Sequence, residues 1–284
     1  MKKIFLTLLF SITICQDSQP YPPLELISTP TAGTLPKGTF SLETALMNGG
    51  GLLPKFSFGI TDKFMLGISY GIQGFIGSDD IEKNKSMPEI QIKYRIYDET
   101  EAMPAFVIGL DTQGKGKYFA SSSLERYEQK AMGVYFLASR NWNMLGNLGF
   151  HIGINKNLFE KKDGDEDFNL FFGIDKEINE SFSFLLEYNF ARNDDGEYTD
   201  DCILDCILRD GKGYLNAGLR WIATDNLMLE INVNDILKNN KYKVGTIEEG
   251  PINLNNPSQV EYVVELKDFE SMNREIKITY FERF

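Results

Sequence analysis

The stretch Glu275-Ile276-Lys277-Ile278-Thr279-Tyr280-Phe281-Glu282-Arg283-Phe284 decides the fold. Ile276, Ile278 and Tyr280 stand two residues apart, with Glu275, Lys277 and Thr279 between them. A strand sends alternate side chains to opposite faces. This segment therefore carries one apolar face and one polar, charged face. Taken alone it is an amphipathic strand, as fit for the edge of a soluble sheet as for a wall facing lipid. The rest of the chain separates the two.

From Thr39 onward the same alternation returns again and again. The apolar positions are Phe40, Leu42 and Leu46; then Phe56, Phe58 and Ile60; then Phe64, Leu66, Ile68, Tyr70 and Ile72. They continue as Ile90, Ile92, Tyr94 and Ile96; Phe106, Ile108 and Leu110; Met132, Val134 and Phe136; and Leu148, Phe150, Ile152 and Ile154. The last sets are Phe168, Leu170, Phe172 and Ile174; Phe182, Phe184, Leu186, Tyr188 and Phe190; Leu215, Ala217, Leu219 and Trp221; and Leu227, Leu229, Ile231 and Val233. Each run is close to the roughly 9–11 residues of a tilted membrane strand. Short turns, such as those expected at 61–63, 139–143, 176–181 and 224–226, alternate with longer polar connections. No sustained 3.6-residue period suggests helices. The expected fold is all-β, an antiparallel transmembrane β-barrel over residues 39–284, with short periplasmic turns and longer acidic outer loops.

The strand count must be even if both barrel ends lie on one side. The stretch 260–266, Val-Glu-Tyr-Val-Val-Glu-Leu, also alternates and would make thirteen. We place it in the last outer loop, as a hairpin with 241–247, and expect twelve strands, with fourteen as the alternative. A soluble β-sandwich would also alternate, but it requires neither uniform membrane-length strands nor alternating loop lengths.

Residues 1–15 read as a signal peptide: Lys2 and Lys3, then an apolar run to Ile14. Cys15 raises the alternative of lipidation, although Ile14 occupies a place where a small residue belongs. Residues 16–38 hold half of the chain's 10 prolines and show no periodicity, the mark of an extended periplasmic lead-in. Removing the two leader lysines shifts the formal charge from −12 to −14, which argues against a nucleic-acid partner. Of the 3 cysteines, Cys202 and Cys206 close a small loop, and a disulfide is the simplest reading in an oxidising compartment. No metal and no cofactor is implied.

The closing strand resembles the C-terminal recognition strand of bacterial outer-membrane barrels, carried by Ile276, Ile278, Tyr280 and Phe284; Glu282 departs from the pattern. The resemblance implies outer-membrane lipid and the barrel-assembly machinery as partners. Pro30-Thr31-Ala32-Gly33-Thr34-Leu35-Pro36-Lys37-Gly38, Ile60-Thr61-Asp62-Lys63-Phe64, Gly67-Ile68-Ser69-Tyr70-Gly71 and Lys93-Tyr94-Arg95 with Pro104-Ala105 resemble uncharacterised outer-membrane barrels related to the YjbH-type exopolysaccharide-associated proteins. That resemblance spans most of 29–235 and the closing strand. It implies a role in envelope polysaccharide secretion, with polysaccharide export components as partners, and transfers no functional residue.

The faces opposite the apolar runs should line the lumen. Glu43, Lys93, Arg95, Asp111, His151, Asp175, Glu187, Arg220, Glu230 and Lys277 are the candidates. A hydrated pore past these charges would pass small polar solutes; charges paired across the lumen would close it. The expected function is a passive channel or export-associated barrel, and the alternative is a closed structural or adhesion barrel acting through its outer loops. A membrane hydrolase is a third reading: it needs a nucleophile beside His151, the only histidine, and no serine motif stands out. No enzyme activity is therefore expected. The acidic loops around 163–167 and 194–201 lack a complete calcium-loop pattern and read as solvated.

Overall fold

The computed structural model describes residues 22–77, 80–120, 125–195, 206–249, 262–270 and 272–284, with only the backbone path given for 206–208, 241–249 and 262–270. The signal peptide, Cys202 and Val260 lie outside the described residues, and with Cys202 so does the expected disulfide.

Twelve strands form the barrel. They are β1 (Thr39–Leu46), β2 (Leu52–Thr61), β3 (Phe64–Ser69), β4 (Glu89–Tyr97), β5 (Ala105–Asp111) and β6 (Gly133–Asn143). The second half is β7 (Asn147–Lys156), β8 (Asn169–Asn179), β9 (Phe182–Asn189), β10 (Tyr214–Thr224), β11 (Leu227–Asn234) and β12 (Asn273–Arg283). Every neighbour pair is antiparallel. Closure comes from β1, which pairs with β2 on one side and with β12 on the other, from Thr39↔Arg283 to Leu46↔Ile276. A closed ring leaves no sheet edge unpaired, the condition for strands to cross lipid.

The side-chain pattern is that of a membrane barrel, not a soluble one. Leu42, Ile68, Ile90, Phe136, Ile152, Phe172, Phe184, Trp221, Ile231 and Ile276 all face outward and are exposed. Their in-strand neighbours Glu43, Ser69, Gln91, His151, Arg220 and Lys277 point inward and are buried. An apolar belt wrapped around a polar interior is stable only where lipid covers the belt. Phe284 stacks on Phe40, centroids 6.4 Å apart, and its amide donates to the Gly38 carbonyl at 2.9 Å. Glu282 is exposed beside the Tyr280 hydroxyl, which donates to it.

Of the stretch 260–266, the described residues 262–266 do not enter the wall. Asn240–Glu249 and Tyr262–Glu270 pair with each other, and Cys206–Arg209 joins them in a separate three-stranded sheet at the long-loop end. Two strand boundaries differ from expectation. β3 stops at Ser69, and after a break at Tyr70 and Gly71 the segment Ile72–Gln73 pairs with Leu52 of β2 on one side and with Glu82–Lys83 on the other. The expected turn at 139–143 is instead the second half of β6, and the turn falls at Leu145 and Gly146, both at positive φ. Ser139 and Asn141 look like turn residues, but they are inward-facing wall residues of a polar lumen.

The largest departure concerns the proline-rich segment. Residues 22–37 are not an extended periplasmic lead-in. They enter the barrel from the short-turn end and pack inside it, with Leu26, Ile27, Thr29 and Leu35 at 1% exposure or less. The alternation on the outer face yields one checkable consequence. Ile152 sits mid-strand on the belt and is 62% exposed. Ile152→Lys should lower the folding free energy in lipid vesicles by about 2–4 kcal/mol, the cost of a lysine near the midplane. Denaturant titration of the refolded barrel would measure it.

Candidate functional site

The plug is a tight loop. Leu26 N–H donates to Thr29 O, Thr31 N–H to Leu24 O, and Glu25 and Pro30 form an isolated bridge. A chain so short has no sheet ladder for its other backbone groups, yet buried N–H and C=O groups need partners. The barrel wall supplies them. The Glu187 carboxylate accepts from the amides of Ile27, Ser28 and Thr29 at 2.9–3.1 Å. It also accepts from the Ser28 and Thr29 hydroxyls and from Asn216 Nδ2. Lys93 Nζ donates to the carbonyls of Leu24, Thr31 and Gly33 at 2.6–3.2 Å. Arg220 Nη2 donates to Glu25 O and Leu26 O while its Nε bonds Glu230 at 2.6 Å. Lys277 Nζ reaches Ile27 O at 2.8 Å and the Glu25 carboxylate at 3.0 Å, with Glu43 at 3.7 Å.

All ten lumen candidates therefore face inward, but they do not act as one set. Glu187, Lys93, Arg220 and Lys277 clamp the plug's main chain rather than pairing across the lumen. Arg95 lies near the short-turn mouth, bonded to Asp62 O at 2.8 Å and to Asp98 at 3.0 Å. Asp111 accepts from Gln91 Nε2 and Gln113 N toward the other end. The fit also needs glycine: a Cβ on Gly173 of β8 would stand 2.1 Å from Leu26 Cδ1. The plug fills the room left at Gly59 and Gly173, while wall side chains fill it elsewhere, as Tyr135 does beside Gly109 and Phe171 beside Gly153.

A second layer covers part of the long-loop end. The hairpin Lys115–Phe119 with Arg126–Gln129 reaches across the mouth, and Lys115 Nζ bonds Glu275 of β12 at 3.0 Å. Arg126 is fully buried. Its guanidinium bonds Asp163 at 2.8 Å and Asp194 at 2.5 Å. Lys130 also meets Asp163, and Arg209 and the Tyr214 hydroxyl also meet Asp194. The acidic loops are thus not simply solvated: Asp163 and Asp194 are buried ion-pair partners. Nothing in the local sequence marks them, because their cations come from other loops. Between plug and cap lies a small polar chamber lined by Glu25, Glu43, Lys55, Asp111, Lys115 and Lys277 among others.

At the short-turn mouth, Ser139, His151 and Asp175 form a hydrogen-bonded chain, Ser139 Oγ to His151 Nδ1 at 2.7 Å and His151 Nε2 to Asp175 Oδ1 at 2.8 Å. The histidine is a hydrogen-bonded lumen residue, as its alternation implies. Its serine partner carries no local sequence signature, because it comes from the neighbouring strand, directly opposite in the β6–β7 register. Assigning 139–143 to the wall would have revealed it.

No family model matches the chain, and no curated protein does. Solved structures similar to it are outer-membrane barrels. A NanC porin shares 9% identity at a TM-score of 0.40, over 85% of this chain and 98% of that one. OmpT of Vibrio cholerae shares 8% at 0.29, over 86% and 96%. Salmonella typhi OmpF, in complex with daunomycin, shares 8% at 0.28, over 86% and 96%. The barrel assignment stands on the strand pairing and the apolar belt, to which likeness at this level adds nothing.

Two consequences follow from the clamp and the cap. Glu187→Gln removes the charge that three plug amides share, and hydrogen bonds to a charged group contribute about 1.5–3 kcal/mol. Hydrogen exchange at Ile27, Ser28 and Thr29 should therefore speed up by roughly 10- to 100-fold. In the cap, burial pushes the Asp194 carboxyl up, but Arg126 and Arg209 outweigh it and hold the group below the usual carboxylate range. A depressed carboxyl stabilises the state that contains it above its unfolded pKa of about 4, and the effect fades as pH falls through the folded value. Exchange protection of the Arg126–Gln129 strand should exceed that of Asp194→Asn at pH 7 and converge with it in acid.

Proposed function

We propose that the chain is a bacterial outer-membrane barrel whose passage for small polar or saccharide-like solutes is held shut by residues 22–37. The observation that carries this reading is the nature of the seat. The plug is held by ionisable side chains bonded to its main chain, above all Glu187 and Lys93. Charged groups of this kind recover hydration when their partner leaves, so a lumen emptied of the plug is a wettable, charged passage. Its fully buried apolar contacts are few, chiefly Leu26, Ile27 and Leu35. The short-turn end faces the periplasm and the long loops face outward, following the usual asymmetry of such barrels. The resemblance to exopolysaccharide-associated barrels favours a saccharide as the solute and export components as partners at the periplasmic mouth.

The buried ion-pair cap favours a second reading, a permanently closed barrel that works through its outer surface. Conductance separates the two. Refolded wild-type protein in a planar bilayer should be silent. A chain lacking residues 24–33, shown to be folded by heat-modifiable migration, should give discrete steps. Silence from that folded variant would remove the channel reading and leave the closed barrel. Steps from the wild type would show that the plug does not seal.

A further inference from the structure

We propose that Ser139, His151 and Asp175 form a hydrolytic site for short acyl esters, entered from the short-turn mouth. For a neutral imidazole facing an ionised carboxylate, one arrangement of protons serves both hydrogen bonds. A carboxylate oxygen only accepts, so His151 Nε2 carries the proton given to Asp175 Oδ1. His151 Nδ1 is then left as an acceptor, and the Ser139 hydroxyl proton points at it across 2.7 Å. The Ala32 amide donates to Ser139 Oγ at 2.9 Å, which leaves the hydroxyl proton free for the imidazole. Nucleophile, base and orienting carboxylate thus stand in the order that activates a serine, with the two ring nitrogens exchanged relative to the serine-protease arrangement.

The carboxylate is held close to the wall. A Cβ on Gly149 would lie 2.1 Å from Asp175 Oδ1, so glycine is what lets the acid reach the imidazole. All three residues line a vestibule open to solvent, together with Arg95, Asn141 and Asn147. This site opens to the mouth and faces the lumen, not the belt, so a bilayer lipid does not fit. A small ester whose alcohol part carries hydroxyl groups does, since the rim offers guanidinium and amide donors.

Chemistry at this place is balanced without any further reagent than water. Ser139 Oγ bonds to the acyl carbon as its proton passes to His151 Nδ1. The ester C–O bond breaks, and the leaving alkoxide takes that proton. Water then attacks the acyl-serine, giving its proton to His151, and releases the acid with Ser139 restored. The vestibule at the short-turn mouth shares no lining residue with the chamber beyond the plug, so failure of the gated-channel reading leaves this one standing, and the reverse.

The test uses the full-length refolded protein with diisopropyl fluorophosphate, and p-nitrophenyl acetate as the ester. Mass mapping should find the phosphoryl group on Ser139 of the wild type, a result that needs no variant. Hydrolysis should fall to background in Ser139→Ala and by roughly 100-fold or more in Asp175→Asn, which upsets the histidine tautomer. Heat-modifiable migration would establish that each variant is folded. An unlabelled Ser139 in folded wild type, or hydrolysis equal in wild type and folded Ser139→Ala, would overturn the proposal and leave the three residues as a fastener for Ala32.

Discussion

The Glu187 carboxylate and the amides that converge on it are the contact on which the interior depends. A bare carboxylate at the centre of a barrel is costly to desolvate. A sixteen-residue segment with no ladder of its own is equally costly to bury. Each solves the other's problem. Three consecutive N–H groups supply the anion with donors, and Lys93 supplies the same segment's carbonyls with a cation. The polar wall and the polar plug are therefore one hydrogen-bonded unit. That is why the lumen charges need no partners across the barrel.

Around that unit the protein is arranged in shells of opposite character. Lipid meets a belt of Ile, Leu, Phe and Trp. Inside the wall, carboxylates, lysines, amides and one histidine face the plug. The cap beyond it is held by Arg126 between Asp163 and Asp194. The lumen is thus crossed at two levels with different chemistry. One level is main chain seated on side chains; the other is side chain paired with side chain between loops. The cap's ion pairs answer to pH through Asp194, whereas at the plug ionisable wall side chains meet main-chain groups that carry no net charge.

Much of this was written in the sequence. The period of two in segments such as 89–97 fixes wall, belt and lumen at once, because lipid outside and water-like groups inside impose opposite demands on alternate residues. Even the hairpin formed by 240–249 with 262–270 followed from the even count. The contents of the lumen did not. Prolines at 22, 23, 30 and 36 look the same whether the segment runs through solvent or folds inside a barrel, since neither place asks for periodicity. What selects the inside is long-range: Glu187 and Lys93 lie far along the chain from the loop they hold. Ser139 was lost for a related reason. A polar inward face makes the end of a strand look like a turn, and its partnership with His151 exists only once register is known.

The seam between β1 and β12 joins residues nearly the whole chain apart, so ring closure has to wait for the last strand. Loop-closure entropy makes such a contact late in any order of events. Residues 22–37 lie immediately before β1. While the seam is open, they can be laid sideways onto the half-built wall, against β9 and β10, without threading through a finished ring. Once β12 docks, the same residues are enclosed on all sides. Assembly and release then follow different routes: entry is lateral and happens once, whereas any later departure has to run along the axis, through the short-turn mouth.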